Sequence, residues 1–193
     1  MTTQYVTPIS EAFPLWCQSL LQRSDWVILD TETLEFAGRS SEAIAIAVLD
    51  SQGRTLYDRL FNPFVLRARD LSVVDPYERT IFTARWNELE DVLYGRLIIS
   101  YGAVYNSQVL VRTAALRQIE MSSYCWQCVM NAYAEYRAEP GRRSGSFHWQ
   151  CLADACLQLR IKRPIHGSQA LADARATWQL IRACARLCPS IER

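Results

Sequence analysis

No run in this chain approaches the roughly 18 consecutive apolar residues that a membrane-spanning helix needs, so no membrane association is expected. A strong charge of either sign is also missing. Lys and Arg number 21 and Asp and Glu 20, a net charge of +1. That balance excludes a uniformly basic nucleic-acid binder, so any such surface has to come from local clusters. The first residues, Met1-Thr2-Thr3-Gln4-Tyr5, lack the basic segment of a signal peptide, which gives the expectation of a cytoplasmic protein. An even cysteine count is absent: the 7 cysteines are 17, 125, 128, 151, 156, 184 and 188. An odd count without a signal peptide points to reduced thiols rather than a disulfide framework. Histidine is nearly absent, with only His148 and His166 among 193 residues. No repeat or low-complexity segment stands out.

What remains is a chain that is 50% apolar and long enough for one α/β core. Apolar periodicity predicts a helix over 8–24 and strands over 26–30, 43–49 and 55–61, with a loop at 34–41 and a turn at 50–53. The first three strands read as an antiparallel meander. Residues 62–84 read as irregular. A helix ending near Gly95 follows, then a strand over 97–101 and helices near 107–119, 126–137, 149–159 and 169–187. Arg137 to Ser146 reads as a polar loop. Strands first, then alternating elements, then helices fit a sheet with helices packed on it.

The chemistry gathers at Trp26-Val27-Ile28-Leu29-Asp30-Thr31-Glu32-Thr33. An apolar strand ends in two carboxylates two residues apart, and strand alternation puts both on one face. Adjacent carboxylates repel, and burying them unpaired costs several kcal/mol. A hard divalent cation with oxygen ligands relieves that repulsion. Two ordinary solvated acids are the plainer reading of the same spacing. Cys125-Trp126-Gln127-Cys128 has the spacing of a zinc pair, without an evident second pair.

Asp30-Thr31-Glu32-Thr33 resembles the first motif of the DnaQ-like, DEDDh-type 3′–5′ exonucleases. The resemblance extends through Leu97 to Arg112, the segment Ser146 to Ala155, and Ala170-Leu171-Ala172-Asp173-Ala174-Arg175-Ala176-Thr177. It implies an α/β, ribonuclease-H-like mixed sheet with flanking helices, as one exonuclease-like domain over 1–193 with residues 1–25 as an N-terminal helical extension. It implies Mg²⁺ or Mn²⁺ held by Asp30, Glu32 and Asp173, as two ions or as one. The expected partner is the 3′ end of single-stranded nucleic acid. A protein partner or a homodimer is a further expectation.

The same resemblance marks departures. Aligned on its Tyr-Asn, the segment Tyr105-Asn106-Ser107-Gln108-Val109-Leu110 places Leu110 where the family has its middle aspartate. Shifting the register to Asn106 gives up that match for a neutral ligand. The family's histidine, five residues before the last aspartate, is Ser168 here, and His166 lies two residues earlier in a loop with Gly167. The expectation is therefore a nuclease-family protein with weak or lost hydrolysis. The alternative is an active enzyme using His166 as general base. Leu34-Glu35-Phe36 stands where the family often has Thr-Gly-Leu. Expected nucleic-acid contacts are Thr31, Thr33, Phe36, Tyr105, Asn106, Arg142 and Arg143, with Phe36 able to stack on a base. Arg137, Arg160, Lys162 and Arg163 are further phosphate candidates.

Overall fold

The computed structural model describes residues 13–36, 39–62, 79–141, 145–162 and 167–187. Its centre is β1, Trp26–Phe36. Trp26 and Ile28 enter one apolar cluster, and Val27 and Leu29 enter a second on the opposite side. A strand buried on both faces reads as a continuous apolar run, as this one does.

Around β1 lie β2 (Arg39–Asp50), β3 (Thr55–Phe61), β4 (Arg79–Thr80), β5 (Leu97–Ser100) and β6 (Cys125–Cys128). They form a six-stranded sheet in the order β4-β3-β2-β1-β5-β6. β1, β2 and β3 pair antiparallel, whereas β5 is parallel to β1 and β6 is parallel to β5. The helices are α1 (Phe13–Leu21), α2 (Phe82–Leu93), α3 (Ala103–Leu116), α4 (Val129–Arg137), α5 (Leu152–Gln158) and α6 (Gln169–Ala185). The expected mixed sheet with flanking helices, including its antiparallel meander, is present.

α6 crosses the face that carries Trp26 and Ile28. Ala45 and Ala47 on β2 and Ala170 and Ala174 on α6 share that buried cluster. Small side chains on both partners let the helix lie close over the sheet. The β2–β3 turn supports it from below: Trp178 of α6 donates its indole N–H to the Ser51 carbonyl at 3.2 Å. Gly53 sits at φ +77°, where a Cβ would lie 2.7 Å from the Trp178 ring, so glycine answers both the turn and the contact.

α3 packs on the other face. A register shift in the β1–β2 ladder falls between Glu32 and Thr33. There the Ala43 N–H turns to the Thr113 hydroxyl of α3, at 2.9 Å. A buried backbone donor is thereby satisfied where the ladder is disrupted.

Several expected boundaries move. The loop expected over 34–41 is largely strand, because β1 runs to Phe36 and β2 starts at Arg39. α3 starts at Ala103, one turn before the expected 107. The helix expected from 126 is a strand through Cys128 and then α4, since four residues beside β5 are too few to show a periodicity. That strand separates the supposed zinc pair. Residues three apart on a strand face opposite ways, and Cys125 is exposed while Cys128 is buried. Cys17, Cys125, Cys128, Cys151, Cys156 and Cys184 are free thiols. Burial and a hydrogen bond with Cys184 push the Cys17 thiol far up. No described helix is long and apolar enough to cross a membrane.

Candidate active site

Asp30 and Glu32 leave β1 on the face covered by α6. Their neighbours on β2 are Ala47 and Ala45, whose methyl groups leave room above the sheet. α6 begins directly over Glu32. The Glu32 carboxylate accepts a hydrogen bond from the Gln169 backbone N–H, at the positive end of the helix. Asp173 follows one turn further along α6, close enough for its charge to act on Glu32. Burial is the main cause that raises the Glu32 carboxyl above its ordinary value; the Gln169 N–H works against it and the Asp173 charge adds to it.

Asn106 lies on the first turn of α3. Its side chain is 3% exposed. Its Oδ1 accepts from the Thr31 N–H at 3.1 Å and from the Thr31 hydroxyl at 2.5 Å. Its Nδ2 donates to Asp30 Oδ1 at 3.1 Å and to the Ser100 hydroxyl at 2.5 Å. All four hydrogen-bonding capacities of the amide are thus in use. Asn106 ties β1 to the end of β5.

Leu110 is not at this site. It is fully buried in the apolar cluster with Val27, Leu29 and Ile46. The side chain of α3 that meets Asp30 is Asn106, on the first turn of the helix, which starts one turn before the expected boundary.

Tyr105, about half exposed, shares a 2.6 Å hydrogen bond between its hydroxyl and Thr33. Thr31 is buried against Asn106. Phe36 contributes backbone to β1, and its side chain lies outside the described residues, as do His166, Arg142, Arg143 and Arg163. Arg137 is paired with Glu139 at 2.8 Å on the surface.

Ser168 caps α6 by accepting from the Leu171 N–H at 3.1 Å. Its hydroxyl donates to Asp58 Oδ1 at 2.9 Å. Asp58 was not singled out in the sequence. Its signal is the register: Asp30, Ala47 and Asp58 are successive partners across β1, β2 and β3, and so lie in one row on one face.

Among the described residues, no three His, Cys, Asp or Glu side chains converge into a ready-made metal cage. The donor set nevertheless fits a hard cation. Glu32 and Asp173 repel each other in a half-buried place, Asp30 shares their face, and all three offer carboxylate oxygens.

No family model matches the chain. Over 176 residues it is 29% identical to the uncharacterized exonuclease CP81 of Escherichia phage 186, covering 84% of this chain and 89% of that one. The nuclease domain of 3′hExo, a DEDDh family member bound to rAMP, superimposes with a TM-score of 0.64 at 14% identity, over 86% of this chain and 94% of that one. A chain from the structure of the yeast NOT1 MIF4G domain co-crystallized with CAF1 superimposes with a TM-score of 0.55 at 14% identity, over 93% of this chain and 88% of that one. The fold is that of the DEDDh exonucleases. The likeness to the DnaQ-like family read from Asp30-Thr31-Glu32-Thr33 and the Asp173 segment is borne out.

Proposed function

We propose that this DnaQ-like chain is an exonuclease-type protein that engages the 3′ ends of single-stranded nucleic acid at a divalent-cation site formed by Asp30, Glu32 and Asp173. The observation that carries the reading is the meeting of Glu32 and Asp173 under the first turns of α6, on the face of β1 that Asp30 shares. The exonuclease likeness of the phage relative supports the reaction class. Mg²⁺ or Mn²⁺ bound there would supply positive charge against a phosphodiester and lower the pKa of an attacking water.

The chain's own residues do the remaining work. Asn106 and Thr31 fix the rotamer of Asp30. Burial raises the Glu32 carboxyl, and the Gln169 N–H at the start of α6 works against that rise by favouring the ionised form. Tyr105, anchored on Thr33, offers a half-exposed ring beside the site for a terminal base.

Hydrolysis in this reading is slow. A positioned general base contributes roughly 10²- to 10⁴-fold in rate. Ser168 does not supply one, because its hydroxyl is engaged with the Leu171 N–H and with Asp58. Leu110, at the position the resemblance gives to the family's middle aspartate, is buried in the apolar core and offers no carboxylate.

The test is digestion of 5′-labelled single-stranded DNA and RNA with Mn²⁺, using wild type, Asp30→Ala and His166→Ala. Slow, metal-dependent shortening from the 3′ end that Asp30→Ala abolishes and His166→Ala leaves supports the proposal. Cleavage indifferent to Asp30→Ala overturns it. Fast digestion lost with His166→Ala overturns the slow-hydrolysis part and makes His166 the base.

A further inference from the structure

We infer that Trp149 is a stacking platform for one nucleobase of the bound single strand, set across the carboxylate end of the sheet from Tyr105. The inference rests on the nucleic-acid reading above and adds a binding position outside the carboxylate site.

The sequence has 6 tryptophans. Trp26, Trp86 and Trp126 belong to the two apolar clusters, and Trp16 and Trp178 pack against one of them. Trp149 does neither and is 66% exposed. Exposure alone does not mark a site, because single apolar residues are common on surfaces. The mounting of Trp149 does. On one side of it, the Gln150 carbonyl accepts from the Tyr101 hydroxyl at 2.9 Å. The buried Gln150 amide donates to Glu139 at 2.8 Å and accepts from Gln158 at 3.0 Å. Gln158 in turn accepts from the Tyr133 hydroxyl at 2.8 Å. On the other side, the His148 N–H donates to the Glu139 carbonyl at 2.8 Å, and Phe147 bridges to Pro140. The backbone is thus anchored on both sides of an indole left in water. A ring presented this way loses little freedom when a base covers it.

Tyr101 places this mount at the carboxylate end. Ile28 and Ile99 are partners across β1 and β5, and Asp30 and Tyr101 each follow two residues later. Ile28, Ile99 and Tyr101 share the cluster on the α6 face, the face on which strand alternation puts Asp30. The Tyr101 side chain therefore leads from the Asp30 end of the sheet to Gln150, and Trp149 is the next residue. Tyr105 reaches the same end from α3, on the opposite face, through Thr33. A strand ending at Asp30, Glu32 and Asp173 has one aromatic ring on each side.

Charge favours a nucleic acid over a protein here. In sequence, residues 137–163 hold Arg137, Arg142, Arg143, Arg160, Lys162 and Arg163 against Glu139 and Asp154. A nearly neutral chain is thus basic on both sides of Trp149 in sequence, which suits a phosphate backbone, while the indole suits any base face.

The experiment is fluorescence anisotropy of the full chain with a 5′-labelled single strand of about ten nucleotides, in Ca²⁺ to suppress cutting. Wild type, Trp149→Ala and Trp149→Phe are compared. The strand is used intact and with one abasic nucleotide at successive positions. Trp149→Ala should weaken binding of the intact strand roughly 5- to 150-fold, and Trp149→Phe should recover most of it. At one position, loss of the base should weaken wild type and cost Trp149→Ala nothing further, the mark of a direct pair. Ultraviolet irradiation of wild type with a 5-iodouracil strand should cross-link to Trp149, an arm that needs no variant to fold. Equal binding by wild type and Trp149→Ala overturns the inference. So does a loss in Trp149→Ala that is the same at every abasic position. A wild-type dimer in light scattering that Trp149→Ala dissociates overturns it too, and makes the ring a contact between copies. Failure of wild type to bind any single strand overturns the nucleic-acid reading itself.

Discussion

Ser168 at the head of α6 donates its hydroxyl hydrogen to Asp58 on β3, 110 residues away in sequence and 2.9 Å away in space. The same oxygen accepts from the Leu171 N–H. One small side chain thus caps the helix that carries Asp173 and pins it to the row of residues that begins with Asp30. Ser168→Ala removes the cap. N-cap losses of this type cost about 1 kcal/mol. Urea denaturation should show a loss of that size, with Ser168→Asp, which keeps a capping acceptor but faces Asp58, no better than alanine.

Leu110→Asp separates the two alignments of the α3 motif. If Leu110 faced the cation, an aspartate there would improve metal binding. Leu110 is instead in the core with Val27 and Leu29, and an unpaired buried carboxylate costs several kcal/mol. Thermal unfolding should show severe destabilisation that Mn²⁺ does not relieve. Asn106→Asp should be destabilised without metal and recover when Mn²⁺ is added.

The β2–β3 turn gives a pH signature. Asp50 accepts from the Gln52 N–H, the Arg54 N–H and the Arg54 guanidinium, at 2.9, 2.8 and 2.6 Å. Burial alone would raise its carboxyl, but these donors outweigh it and hold it below the ordinary 3.8. A carboxyl depressed in the folded state adds stability above its unfolded pKa, and that stability is lost as pH falls through the folded value. Asp50→Asn should therefore be less stable than wild type at pH 6. The gap should close as the pH drops below 3.8. Denaturation midpoints across that range check it, and a gap that is constant with pH would rule out the charge as its cause.

Tyr105 is expected to matter for binding more than for folding. Its ring is about half exposed and its hydroxyl rests on Thr33. Base stacking on an aromatic side chain contributes about 1–3 kcal/mol. Tyr105→Ala should weaken binding of a single strand roughly 5- to 150-fold, with Tyr105→Phe close to wild type. Fluorescence anisotropy with a labelled oligonucleotide, in Ca²⁺ to suppress cutting, measures this.

Much of the fold was legible because β1 is buried on both faces and ends in two acids, a pattern that strand geometry turns directly into a shared carboxylate face. The segment around Asp173 was legible as a helix, and that helix brings Asp173 near Glu32. Asn106 was set aside because shifting the register gives up the Tyr-Asn match for a neutral ligand; its hydrogen bond to Asp30 depends on where α3 begins, which local periodicity puts one turn late. β6 was missed because four residues beside a parallel neighbour carry no period of their own. The Ser168–Asp58 contact was out of reach for another reason. It depends on strand register across β1, β2 and β3 and on where α6 lands, and neither is encoded in a local window.

The most direct test of the account is anomalous diffraction from crystals of the protein grown with Mn²⁺. The account predicts a manganese peak within about 2–2.5 Å of carboxylate oxygens from Glu32 and Asp173, with Asp30 on the same side of the ion. A well-ordered β1 and α6 with no peak at these acids, or manganese bound only elsewhere, would contradict it.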